Sequence, residues 1–236
     1  MSLTNWLDKK FYPLYQNNWD DKLFREYISS HLSSEAIILD VGAGAGIVKE
    51  MNFKGAVGKV CGVDLDPRVE SNPYLDEGKV TDANSIPYND NYFDLVFADN
   101  VMEHLDDPFT VFHEIHRVLK KDGLLLFKTP NRYHYMPFIA RLTPHYVHQY
   151  VNNLRGRNAT DTFPTLYRAN TRKKSEIIAS KTGFKVEGIH RIEGRPEYLR
   201  IFFLTYLIGL LYERLVNSSK LLAFLRVVMI VELRKK

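Results

Sequence analysis

Residues 37–46 read IILDVGAGAG, and no other stretch restricts the fold as much. An apolar, β-branched run has the composition of a buried strand. Asp40 lies near its end, and glycines follow at 42, 44 and 46. Glycine at every second position permits a tight turn and a very close approach of the main chain to a ligand. A strand that runs into such a turn and then into a helix is the opening unit of an open α/β sheet. Ligands of these sheets bind at the carboxyl ends of the strands.

The rest of the chain alternates in the same way. Leu23, Phe24, Tyr27 and Ile28 recur at helical spacing and predict a helix over 20–32. Strands are expected at 36–41, 59–64, 79–82, 93–98 and 124–128, with a short helix over 47–51. A further helix is expected over 107–119, where Pro108 suits the first turn. Asp122-Gly123 should form the turn beyond it. Strands separated by helices imply parallel βαβ units covered on both faces. Residues 5–18 form a polar, aromatic lead-in, and periodicity stops from 129 to 172. It resumes with a helix at 173–181, a strand at 183–190, an apolar helix at 198–216 and a β-branched strand at 226–233. No repeat or low-complexity linker interrupts the chain. One domain over 1–236 is expected, with 130–172 inserted as a substrate-side lid and 197–224 inserted as an apolar helical segment before the last strand.

Bulk properties narrow the function classes. A net charge of +4 and a pI near 8.9 are only mildly basic. Nucleic-acid binding, which needs a concentrated basic face, is not expected. Cys61 is the single cysteine, so no internal disulfide can form. The N-terminus lacks a signal-peptide core, and no run of about 18 apolar residues exists to span a membrane. A cytoplasmic protein is expected.

The glycine spacing separates two kinds of nucleoside ligand. Asp64 stands at the end of the second strand, about 20 residues beyond Gly42, where an acid can accept both ribose hydroxyls. A dinucleotide loop reads G-x-G-x-x-G and faces a pyrophosphate. Here the pattern is Gly42-x-Gly44-x-Gly46, with Asp40 before it. A carboxylate there repels pyrophosphate and suits an ammonium. The reading is S-adenosylmethionine (SAM), which has an amino-acid tail and no phosphate.

LDVGAGAG, GVDLD, DANSIPYNDNYFDLVFADNVMEHL and EIHRVLKKDGLLLFKTPN together resemble a class I SAM-dependent methyltransferase of the small-molecule type. The resemblance runs over roughly 35–131. It implies an α/β, doubly wound Rossmann-like fold: seven strands, mainly parallel, the last antiparallel, with an insertion between strands five and six. It implies that Asp40 and Gly42 line the methionine end and that Gly44 lets the backbone pass the nucleoside. Asp64 would bind the ribose, with Leu65 against the adenine. Asp82 and the Ala83 backbone would read the adenine edge, and Asn100 would border the methionine portion. Asp94 matches a family acid and is read as structural. A nicotinamide- or nucleotide-binding protein on the same fold, and a catalytically silent SAM-binding protein, stay open as alternatives.

The resemblance is not specific for the acceptor. Oxygen acceptors usually need a base. His104, just past the fourth strand, is the candidate catalytic base for transfer to oxygen; nitrogen or carbon remains the alternative. His113 and His116 lack the i, i+4 spacing of a zinc helix, so no metal is expected. TPNR, at 129–132, is similar to the run after strand five in quinone-biosynthesis O-methyltransferases. Arg132, His134, Tyr135, His145, Tyr146, His148 and Arg168 are the candidate substrate residues, suited to an acidic or polyhydroxyl small-molecule acceptor. The apolar helix at 198–216 is hydrophobic nearly all round, which predicts burial on most sides. Residues 195–236 hold eight basic and three acidic side chains. The helix is expected to meet the insertion, a second copy in a homodimer, or an anionic membrane surface.

Overall fold

The computed structural model describes residues 3–15, 18–142, 164–200 and 202–236. Seven strands make one sheet, ordered β3-β2-β1-β4-β5-β7-β6. They are β1 (Ile37–Val41), β2 (Lys59–Asp64), β3 (Glu77–Val80), β4 (Phe93–Asp99), β5 (Leu119–Pro130), β6 (Phe184–Ile192) and β7 (Val228–Lys235). β1 to β5 pair in parallel, and β7 runs antiparallel between β5 and β6. The expected seven-stranded α/β sheet with an antiparallel last strand is therefore present. The helices are α1 (Leu3–Phe11), α2 (Trp19–Ser29), α3 (Pro108–Val118), α4 (Tyr135–Leu142), α5 (Arg172–Lys181) and α6 (Phe203–Ser218).

Side-chain alternation along β1 builds two cores. Leu39 and Val41 join Val111, Phe112 and Ile115 of α3 and Ile178 of α5. Ile38, on the other face, joins Phe24 and Ile28 of α2. The crossovers after β1 and β2 carry only 3₁₀ turns, Lys49–Met51 and Pro67–Ser71, where a short helix over 47–51 was expected. Met51, Phe53 and Val57 supply the apolar cover there instead.

β6 and β7 end two residues later than expected, and β3 and β5 differ in ways that the structure explains. β3 sits upstream of 79–82, with Glu77 opposite Cys61 and Gly78 opposite Gly62. Only glycine fits at 78, because a Cβ there would lie 2.1 Å from the Val69 carbonyl oxygen. β5 starts at Leu119, since Asp122-Gly123 forms a bulge inside the strand and not a turn before it. Asp122 takes the left-handed conformation, φ 61°.

The apolar helix runs over 203–218, where 198–216 was expected. Its buried residues are Tyr206, Gly209, Glu213 and Val216. The Tyr206 hydroxyl donates to Asp8 of α1 and the Tyr12 hydroxyl donates to Glu213, each at 2.8 Å. Leu204, Leu207, Ile208, Leu211 and Leu215 face outward, between 36% and 71% exposed. Within the chain, then, α6 buries one stripe and turns its leucines outward. The polar partners of Tyr206 and Glu213 fix which side turns inward. No helix among the described residues is long and apolar enough to cross a membrane.

Candidate active site

The chain leaves β1 through Gly42 and Gly44, at φ 84° and 48°. A side chain at 42 would come within 2.2 Å of Val101 Cγ2. The Gly44 N–H donates to the Asp64 carboxylate at 2.8 Å, and so does the Asp66 N–H. The acid at the end of β2 is therefore locked against the loop. The Thr81 N–H donates to the Asp64 carbonyl at 2.9 Å, which brings Asp82 alongside. Asp82 is exposed and accepts from the Asn84 N–H. Leu65 is exposed, and Ala83 packs on the core. Sequence reasoning missed Asn72, which holds the loop from the far side. Its amide donates to the Ala43 and Gly44 carbonyls at 3.0 and 3.2 Å. The signal for it was the Asn-Pro turn after β2.

The loop opens on a cleft of 470 Å³. Asp40, Asp99 and Asn100 line it from the sheet, Asp20 and Asp21 from α2, and Arg195 and Arg200 from the segment after β6. Lys128 of β5 is fully buried. Its ammonium pairs with Asp20 and Asp99 at 3.0 Å and with Asp21. Burial alone would lower the Lys128 pKa, but Asp99, Asp20 and Asp21 outweigh it and raise it. Asp40 is held well above the usual carboxylate range by burial first, then by Asp99 and Asp64. A cation beside Asp40 would relieve all three causes. The residues present therefore fit a ligand with an ammonium and a sulfonium. Asp94 lies away from the cleft and accepts from the Ile37 N–H at 2.8 Å.

Past β4 the sheet edge turns polar and buried. Glu103 accepts from the Thr129 hydroxyl at 3.0 Å, and that hydroxyl accepts from the Asn170 amide. The His104 Nδ1 bonds the Pro164 carbonyl at 2.8 Å. A carbonyl only accepts, so Nδ1 carries the proton and Nε2 the lone pair. Nε2 lies 4.0 Å from Glu103. His134 is buried among Tyr135, Tyr198 and Tyr212, with Nε2 3.7 Å from Glu193. Arg168 is committed to Asp106 at 2.8 Å. Arg132 and Tyr135 line a separate cavity, taken up below. His145, Tyr146 and His148 lie outside the described residues. Among the described residues no group of three or more His, Cys, Asp or Glu could hold a metal ion.

Burial pushes the Glu103 carboxyl up to about 7, opposed by hydrogen bonds from its own N–H and from Thr129. The unfolded chain ionises near 4.5 while the folded chain stays protonated. Stability is then lost as pH rises from 4.5 to about 7 and is level above, with a ceiling of roughly 3 kcal/mol. Glu103→Gln keeps an acceptor for Thr129 and should raise Tm above neutrality but not at pH 4.5. Equal Tm changes at both pH values would refute this.

The sheet order, the glycine loop and the acid-lined cleft define the class I methyltransferase fold. Residues 39–127 match the family model described as a methyltransferase domain. The chain is 31% identical over 173 residues to a ubiquinone biosynthesis O-methyltransferase of Nitrosomonas europaea, covering 64% of this chain and 72% of that protein. A protein of the same name from Chromobacterium violaceum is 32% identical over 140 residues, 54% of this chain and 58% of that one. Among solved structures, phosphoethanolamine N-methyltransferase 2 of Haemonchus contortus, in complex with SAM, is similar with TM-score 0.56 at 20% identity. It covers 100% of this chain and 60% of that one. Geranyl diphosphate C-methyltransferase of Streptomyces coelicolor has TM-score 0.56 at 14% identity, over 90% and 77%. These two likenesses speak for the fold alone. The chain belongs to the class I SAM-dependent methyltransferases, and it is an enzyme that uses SAM and a small-molecule acceptor.

Proposed function

We propose that the chain methylates an oxygen of a small organic acceptor held at the carboxyl ends of β4 and β5. The observation that carries the choice of oxygen is His104, whose Nδ1 is fixed on the Pro164 carbonyl so that Nε2 can take a proton. The curated relatives, named as O-methyltransferases at about 30% identity, support the same reading. SAM, when bound, supplies a methyl on a sulfonium for in-line displacement. Asp40 and Gly42 would hold its methionine end, with Asn100 beside them, and Gly44 would let the backbone pass the nucleoside. Asp64 would hold the ribose hydroxyls. Leu65, Asp82 and Ala83 would meet the adenine. Titration calorimetry with SAM and with NAD tests this set. Asp64→Ala should weaken SAM at least about tenfold, because charge-assisted hydrogen bonds are worth roughly 1.5–3 kcal/mol each. Unchanged SAM affinity in a folded variant would sink the assignment.

We also propose that the outward face of α6 rests on an anionic lipid surface. A row of exposed leucines and an isoleucine, in a segment (195–236) with more basic than acidic residues, has the chemistry of an interfacial helix. The protein should float with anionic vesicles. The double variant Ile208→Glu, Leu211→Glu places two charges on that outward face and should abolish flotation. Dimerisation at micromolar concentration without flotation, seen by analytical ultracentrifugation, would overturn the lipid contact.

A further inference from the structure

A second cavity, of 720 Å³, opens beyond the end of β5. Its size lies within the range of small-molecule sites. Arg132, Lys173 and Lys174 line it together with Tyr133, Tyr135, Phe138 and Tyr212. No described residue of its lining is a carboxylate. Among the described residues, Asp106 is paired with Arg168 and Glu176 with Arg172, each at 2.8 Å, and Glu193, which acts on Tyr212, accepts from the Val227 N–H. Arg132 and Lys174 both turn to the Tyr167 carbonyl, at 3.5 and 3.2 Å. One neutral carbonyl cannot balance two cations. Burial, then Arg132 and Arg168, lower the Lys174 pKa, and no acid among the described residues opposes them. Thr171, also in the lining, caps the start of α5, so the helix terminus adds positive potential on the same side.

The cavity is joined to the proposed chemistry. The Arg132 N–H donates to the Asn170 carbonyl at 3.0 Å. The Asn170 amide reaches Thr129, and Thr129 reaches Glu103, next to His104. Cations without acids ask for an anion, and four aromatic rings ask for an apolar body. Inorganic phosphate would leave the rings wet, and a neutral lipid would leave the cations unpaired.

We infer that this cavity binds the acceptor through an anionic group, a carboxylate or phosphate, carried on an aromatic or alkyl body. The inference rests on the methyl-transfer reading for the word acceptor, and on the cavity alone for the ligand chemistry. Titration calorimetry with decyl phosphate, below its micelle concentration, tests it. Decyl phosphate should bind at least tenfold tighter than decanol or inorganic phosphate. The double variant Arg132→Gln, Lys174→Gln should lose at least tenfold for decyl phosphate and keep its SAM affinity. Lys173→Gln, at an exposed position, gives the same test with little risk to folding. Decanol binding as tightly as decyl phosphate, or variants that bind decyl phosphate like the wild type, would overturn the inference. Variant-sensitive decyl phosphate binding in a protein that ignores SAM would uphold the anion site and sink the methyl-transfer reading.

Discussion

Lys128→Met should destabilise the fold by about 3–5 kcal/mol, the usual cost of removing one partner from a buried ion cluster. The lysine stem is replaced by an apolar chain of similar length, so little packing is lost. What remains is Asp20, Asp21 and Asp99 around a vanished ammonium. Burial already pushes the Asp99 carboxyl up, with Lys128 pulling it back down. Without Lys128 that balance is gone. For a chain of this size the loss corresponds to a fall in Tm of about 6–20 °C. The same acids line the cleft proposed for SAM, so SAM affinity should fall with stability. Adding Asp99→Asn should recover part of the stability by removing one unpaired charge. A Tm within about 2 °C of the wild type would show that the cluster is already neutral or hydrated.

The cluster also shows where sequence reading ends. The strands were legible because β-branched runs and glycine turns are local signals. β1, β2 and β4 needed nothing beyond their own residues and the turns that follow. Lys128 was read only as the last residue of LLLFK. Two of its three partners, Asp20 and Asp21, stand more than 100 positions away in α2, and nothing local marks a lysine as buried. α1 was missed for the same reason. Leu7 and Tyr12 become a core only against Tyr206. Arg195 and Arg200, which line the cleft and pair with Asp8, carry no motif at all. Which side of α6 turns inward was not legible, because nothing local marks Tyr206, Gly209 and Glu213 as a buried stripe. Each finds its partner only in three dimensions, Glu213 on the Tyr12 hydroxyl and Gly209 under Pro196. The residues proposed for the cofactor cluster at strand ends, where the family motif and the physics of the fold coincide. Of the cavity proposed for the acceptor, Arg132 and Tyr135 were named from the sequence, whereas Lys173, Lys174 and Tyr212 were not, because lysines on a helix read as a solvated face until the fold brings them together.

His104→Gln should cost about 10²–10⁴ in turnover if the acceptor is a hydroxyl, the range expected for one positioned base. Glutamine can still donate to the Pro164 carbonyl, so the segment between β4 and α3 should keep its place. What it lacks is a nitrogen lone pair to receive the proton. SAM affinity should change little, since the proposed role of His104 is toward the acceptor proton and its ring is held by the Pro164 carbonyl. The measurement is single-turnover methylation of a phenolic or catechol acceptor from labelled SAM, across neutral pH. Glu103 titrates near 7 directly beneath the histidine and would bend the same profile. Glu103→Gln separates the two: it should remove the bend that Glu103 puts in the profile and keep the rate, whereas His104→Gln should lose the rate. A His104→Gln enzyme with full turnover at neutral pH would mean that alignment alone drives the transfer, and the proposed role of His104 would be wrong.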